Sequence, residues 1–323
     1  MISSGSHKYN TLSFITQLLA WVVTLVLPAY LAYILIPGGL EPVGSGWEDK
    51  KSPTEEQITL KSRKDLELLF GKAGYLLPEV RGQKQDVPRL FLRGLPEDLS
   101  EENNIQLKKS LYIRTVLPLI LRVNETIHED RSRVIAISES LDNGLRVPES
   151  DINWLTELSK KYGFSYNEPK KLLLRLDVIP VSLALAQSIQ ESGWGTSRFA
   201  LHGNALFGQR TWSSEGDGMV PVDREDGASF KVRRFAGLLD SIKGYAHNLN
   251  TNRSYTYFRS RRKALRSNDH PLNGYVLTGT LLAYSEEAED YISAIQAVIK
   301  SNRLQDFDGV RLSDSTNNDG LSS

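Results

Sequence analysis

Residues 181–209 read VSLALAQSIQESGWGTSRFALHGNALFGQ, and the rest of the chain is understood outward from them. Pro180 is well placed at the first turn of a helix, where its fixed φ costs nothing. Leu183, Gln187 and Glu191 follow at i, i+4 spacing and share one face, with Ala184 and Ile189 beside them. Gly193 and Gly195 then stop the helix, so Glu191 lies in its last turn, on or near the packed face. Partial burial disfavours an ionised carboxyl there, and so does the negative end of the helix dipole. Both raise its pKa above the ordinary value of about 4.3. A carboxylic acid that keeps its proton toward neutrality is what the general acid of glycosidic cleavage requires. On composition alone, a surface residue near a helix end is the better reading of Glu191.

The flanking residues carry more. An alanine-rich helix, Glu191 to Gly195 (ESGWG), Ser197 to Ala200 (SRFA) and a Gly203 to Gly208 turn (GNALFG) follow one another without a gap. This run resembles the bacterial cell-wall glucosaminidases of glycoside hydrolase family 73, found also in autolysins and fused to flagellar rod-assembly proteins. Looser matches continue to about residue 302: Ser229-Phe230-Lys231, Phe235, Asp240-Ser241-Ile242, and Leu282-Ala283-Tyr284 before Tyr291. With its N-terminal regions included, the chain is most similar to the Bax-like branch of that family. The resemblance implies a mainly α fold, a lysozyme-like α+β catalytic lobe with a small β-hairpin. It places Glu191 as the acid that protonates the leaving oxygen. It also implies a second carboxylate thirty to forty positions on, where Asp223, Glu225 and Asp226 stand. Glu225 is the choice among these, with an exposed turn charge the competing reading, while Glu215 and Asp217 are expected to face solvent. Tyr284 is expected to position water or the substrate's acetamido group.

Aromatic side chains supply apolar faces for sugar rings and polar tips for their hydroxyls. The candidates are Trp194, Phe207, Trp212, Tyr245, Tyr255, Tyr257 and Tyr284. Trp194, Asn204, Phe207, Trp212 and Tyr245 make up the expected substrate-binding set, Asn204 more as support for the turn than as a contact. Phe199, Phe230 and Phe235 are expected to pack. The basic run Arg259, Arg261, Arg262, Lys263 and Arg266, next to Tyr255, Tyr257 and Phe258, has the interleaving of nucleic-acid binders. A solvated helix face explains it better, and a positive rim attracting the carboxylates of wall peptides suits the family better still.

Lys plus Arg and Asp plus Glu are each 39, so net charge is zero and a globally basic nucleic-acid binder is disfavoured. Cysteine is absent, which removes disulfide scaffolds, thiol nucleophiles and cysteine zinc sites. His202, His247 and His270 lack metal-ligand spacing, and no nucleotide loop or Ser–His signature is present. No metal and no cofactor are expected.

From Tyr9 to Leu40 there is no charged residue, and the apolar run exceeds the roughly 20 residues that span a bilayer. Residues 11–37 therefore read as a transmembrane signal anchor after a short cytoplasmic 1–10. A cleaved signal peptide is the alternative, but the apolar core is too long for one. Orientation is weakly coded, with Lys8 before the span and Lys50 and Lys51 after it. The expectation is a bacterial inner-membrane protein with its bulk in the periplasm or at the wall. Residues 38–63 read as a linker and 64–168 as a helical region. Within it a long helix carries Leu107 to Val123 and beyond, interrupted or kinked at Pro118, with Glu129, Asp130, Arg131 and Arg133 on its outer face. A further helix over 149–163 is capped by Ser150 or Asp151 and ended by Gly163. Residues 169–303 form the catalytic domain, and 304–323, rich in Asp, Ser and Asn, a disordered tail.

The function expected is a membrane-anchored endo-β-N-acetylglucosaminidase cutting β-1,4 bonds of peptidoglycan. Its partners are glycan strands and, through the anchor, the membrane, with no nucleic acid. A lytic transglycosylase, which leaves a 1,6-anhydro sugar, and a non-catalytic wall-binding protein are the alternatives.

Overall fold

The computed structural model describes residues 57–166, 168–211, 218–221, 231–281 and 288–314. The expected anchor, residues 11–37, lies outside these. Among the described residues no helix is long and apolar enough to cross a membrane.

Helix α1 (Arg63–Lys72) opens on a capping box between Ser62 and Asp65 and buries Leu66 and Phe70. Helix α2 (Leu77–Arg81) starts with proline in its first turn. The stretch 88–98 docks as loop, with Leu90, Phe91, Leu92 and Leu95 all buried. Single parallel bridges join Leu92 to Ile58 and Val87 to Leu312.

Helix α3 (Ile105–Asp142) runs 38 residues from an Asn104 cap, whose side chain accepts from Gln106 N and Leu107 N. The expected interruption at Pro118 is absent: the helix is continuous through it. Val116, Leu117, Leu119 and Ile120 around the proline are buried, and that burial outweighs the one backbone bond a proline removes. Of the charges that follow, Glu129 is exposed as expected, but the two arginines are not on an outer face. Arg133 is buried against Asp151, with Nη2 2.6 Å from Oδ1, and Arg131 donates to the Leu173 and Leu176 carbonyls. They fasten α3 to α4 (Glu149–Lys161) and α5 (Pro169–Arg175). Asp151 is thereby used in a tertiary ion pair and not as the cap of α4, which has Pro148 at its N-cap. Gly163, at φ +73°, follows the end of α4 as expected.

Helix α6 (Val181–Ser192) is the axis of the molecule. Every residue from Val181 to Ile189 is buried, as befits a helix packed on all sides. It touches α3, α10 (Gly274–Thr278), α11 (Ala288–Ser301) and the helical turn Leu304–Phe307. With Pro180 at the N-cap, no local side chain serves the first free amides. Asp308 does so from the far end of the chain: Oδ1 accepts from Ser182 N at 2.8 Å and Oδ2 from Ser182 Oγ at 2.7 Å. Leu304 and Phe307 are fully buried. The expectation of a disordered tail from residue 304 is thus corrected for 304–314, where apolar burial and the Asp308 cap hold the chain. Residues 315–323 lie outside the described ones.

After α6 come α7 (Arg198–Gly203) and a sheet of β1 (Arg210–Thr211), β2 (Gly218–Met219) and β3 (Lys231–Arg233). The order is β1-β3-β2, both pairs antiparallel, with Val232 opposite Arg210 on one side and Met219 on the other. The expected hairpin is therefore a three-strand sheet with β3 central. Helices α8 (Leu238–Thr251) and α9 (Thr256–Ser267) complete the fold. A single buried cluster runs from Leu66 to Leu312.

The basic run on α9 is neither a solvated face nor a positive rim throughout. Arg259 and Arg262 are buried. Arg262 donates to the Asp177 and Val178 carbonyls at 3.0 Å, and Arg266 makes a two-pronged pair with the Asp177 carboxylate at 2.7 and 2.6 Å. Burial lowers the Arg262 pKa to about 10. Burial pushes Asp177 up, but the Arg266 hydrogen bond and the Arg262 and Arg131 charges outweigh it and hold the carboxyl below its ordinary range.

Candidate active site

Glu191 is half-buried in the last turn of α6. The helix ends in three successive left-handed residues: Gly193 at φ +57°, Trp194 at +60° and Gly195 at +77°. A Cβ at Gly195 would stand 2.6 Å from Leu95 Cδ1 and 2.8 Å from a Tyr112 ring carbon, so only glycine allows this close approach. Tyr112, on α3, also bonds Ser192 through its hydroxyl at 3.0 Å. The ring of Trp194 meets Tyr112 edge-on at 5.9 Å, with Lys109 Nζ 4.9 Å above it. Helix α3 therefore grips the end of α6 from one side and fixes where the neighbouring carboxyl points.

On the other side stands a file of hydrogen bonds. Tyr245 Oη donates to Gln187 Oε1 at 2.6 Å. Gln187 Nε2 donates to Tyr291 Oη at 2.9 Å. Tyr291 Oη donates to Glu191 Oε1 at 2.9 Å. Each donor is committed by the next group, so the Tyr291 proton is directed at the carboxyl. Oε2 has a different neighbour: a Cβ at Gly208 would stand 3.2 Å away. Gly208 is at φ +59°, and its missing side chain leaves space beside that oxygen. Burial raises the Glu191 pKa and the Tyr291 hydrogen bond lowers it, with burial the larger. Burial likewise pushes the Tyr291 and Tyr245 hydroxyls upward, so they remain protonated donors. A carboxyl so placed can hold a proton on Oε2 and, having lost it, be stabilised through Oε1.

Several expected substrate contacts have other work. Phe207 and Tyr245 are buried, 2% and 1% exposed, and stack face to face at 3.9 Å and 7°. Neither has a face left for a sugar. This corrects the reading of both: they form the wall behind Gln187, because an apolar ring is worth more in the core than at a wet rim. Asn204, at φ +51°, ends α7 and donates from Nδ2 to the Phe235 carbonyl at 3.1 Å, the supporting role expected. Trp194 packs on α3 as described. Tyr255 is buried too, whereas Tyr257 is 60% exposed. Trp212, Glu225 and Tyr284 lie outside the described residues, as do Asp223 and Asp226.

Gln187 and Tyr291 are the members that sequence reasoning passed over. A signal existed in Gln187, since a glutamine on an apolar stripe must find partners when buried. Among the described residues no group of three His, Asp or Glu could hold a metal ion.

Residues 168–304 match the glucosaminidase family, described as mannosyl-glycoprotein endo-beta-N-acetylglucosaminidase. Protein bax of Escherichia coli (strain K12) is 28% identical over 205 residues, 61% of this chain and 70% of that protein. Among solved structures, the catalytic domain of the autolysin Auto from Listeria monocytogenes aligns with 53% of this chain and 97% of its own, at 21% identity and a TM-score of 0.31.

Proposed function

We propose, from the premise that residues 168–304 belong to the glucosaminidase family and make this chain a glycoside hydrolase, that it cuts β-1,4 bonds of the peptidoglycan glycan strand. The observation that carries the reading is the Glu191 carboxyl, held between Tyr291 and Gly208 with its pKa raised by burial. Glu191 is the general acid. Its Oε2 gives a proton to the leaving glycosidic oxygen as the bond from the anomeric carbon breaks and positive charge gathers on the sugar ring. The Tyr291 hydroxyl, already bonded to Oε1, strengthens its hold as the carboxylate becomes negative. That interaction grows along the reaction, which is the kind that lowers a barrier. Glu225 is the proposed second carboxylate, orienting water or balancing the sugar's charge, and Tyr284 its helper. The anchor at 11–37 would hold the catalytic domain on the outer face of the inner membrane.

The test is mass spectrometry of peptidoglycan digested by full-length protein in detergent, beside Glu191→Gln. Reducing N-acetylglucosamine ends are expected from the wild type. The variant should lose about 10²–10⁴-fold in rate, the usual contribution of a proton donor. Anhydro ends would move the enzyme to the transglycosylases, and an undiminished variant would remove Glu191 from the mechanism.

A further inference from the structure

A cavity of about 550 Å³ lies on the face of α8 turned away from Tyr245. Its walls come from two parts of the chain. Val123, Ile127 and Asp130 of α3 and Lys161 at the end of α4 form one, and β3 with the first turns of α8 the other. Only the second wall belongs to the matched residues 168–304. The lower surface is apolar, with Val123, Ile127 and Phe235. The charges are Lys161, Arg233, Arg234 and Lys243 against Asp130 and Asp240, an excess of cations. Among the described residues none of the four cations is in an ion pair. Lys161, Arg233, Arg234 and Lys243 are all exposed. Burial lifts the Asp130 pKa to about 6, and the Lys161 charge acts against that rise.

The cavity adjoins the candidate acid through a short run of contacts. Gly208 borders Glu191 Oε2, and the next residue, Gln209, has its carboxamide 3.3 Å from where a Gly244 Cβ would be. Gly244 lines the cavity, and the Gln209 carbonyl accepts from Arg233 N at 2.8 Å. Gln209 thus ties the cavity wall to the residue that borders Glu191.

We propose that the cavity is a second binding site, for a short peptide bearing free carboxylates, and that it takes the peptide branches of the glycan strand. The identity of the branch rests on the peptidoglycan reading; the binding of an acidic peptide does not. The Arg233 and Arg234 guanidinium groups, in no ion pair among the described residues, match carboxylates in geometry as well as charge, and low-dielectric walls focus their field on an entering anion. The apolar surface below accepts the aliphatic part of such a peptide. Because α3 and the end of α4 supply one of its two walls, the site makes the helical region part of substrate selection.

The experiment is NMR titration of the full chain with alanyl-γ-glutamyl-lysyl-alanine and with the same peptide amidated at every carboxyl. Wild type and Glu191→Gln should both bind the free-acid peptide, with shifts at the Gly244, Ala246 and His247 amides. Amidation should weaken binding at least about tenfold, and so should the double substitution Arg234→Glu, Lys243→Glu. Lys161→Glu, on a separate exposed position, repeats the test should the double variant melt early. Equal affinity for the two peptides, undiminished affinity in the charge-reversed variants, or no binding by wild type at millimolar peptide would each overturn the proposal. Because Glu191→Gln enters the same titration, a failure of the hydrolase reading leaves this result intact.

Discussion

The two oxygens of Glu191 are treated differently by their surroundings: Oε1 accepts a bond from Tyr291, and Oε2 faces the space that Gly208 leaves. From this come two predictions at the scale of single residues. The Tyr291 bond lowers a pKa that burial raises. Tyr291→Phe should therefore raise it further, moving the alkaline limb of the rate–pH profile to higher pH while the maximal rate falls, by about tenfold for a bond to a forming charge. A profile of unchanged position would show that Tyr291 does not act through the acid. In Gly208→Ala the new methyl would stand 3.2 Å from Oε2 at a backbone φ of +59°. Activity should fall by more than the melting temperature explains, read as lost turnover in a variant whose circular dichroism is native. Gln187 explains why this machinery was partly legible beforehand. The i, i+4 stripe put it and Glu191 on one face, but nothing local showed that Tyr291, 104 residues on, would complete it.

Among the elements, α9 shows where sequence reading stops. A run of arginines at helical spacing looks the same whether it faces water or carbonyls. Its partner, Asp177, stands 85 residues from Arg262, and the choice between the two outcomes lies in that distant contact. The end of α6, by contrast, was readable because its stop signal is local: glycines in left-handed conformation leave few alternatives. The Asp177 network makes a stability prediction with a definite sign. A carboxyl whose folded pKa is depressed adds stability that is present above its unfolded value, about 3.9, and lost as pH falls through the folded one. Asp177→Asn should cost about 3–5 kcal/mol at pH 7, the usual penalty for stranding a buried cation. It should also flatten the loss of stability below about pH 4 in denaturant titrations. A variant with wild-type stability at pH 7 would contradict the network's role.

Across the whole molecule, the family match covers residues 168–304, yet the core is continuous with α1 and α3. The last described residues join the earliest. Ser313 N donates to the Val87 carbonyl at 2.8 Å, Arg81 donates to the Asn302 and Arg303 carbonyls, and Asp308 caps α6. Composition made 304–323 look unstructured, since polar residues dominate it and its buried anchors, Leu304, Phe307 and Leu312, are few. Asp308→Ala removes the only acceptor seen for Ser182 among the described residues. It should lower stability by about 1–2 kcal/mol, the worth of a helix cap, seen as a fall of a few degrees in melting temperature.

The pairing of residues 86–89 with 311–313 has a consequence in time. Asp86 and Arg311 are 225 residues apart. At about 5–20 residues per second on a ribosome, the earlier segment waits on the order of 10–45 s for its partner. The helix carrying Glu191, complete at Ser192, lacks its Asp308 cap until 116 further residues have been added. That helix therefore reaches its full stability only once the chain has been made past residue 308.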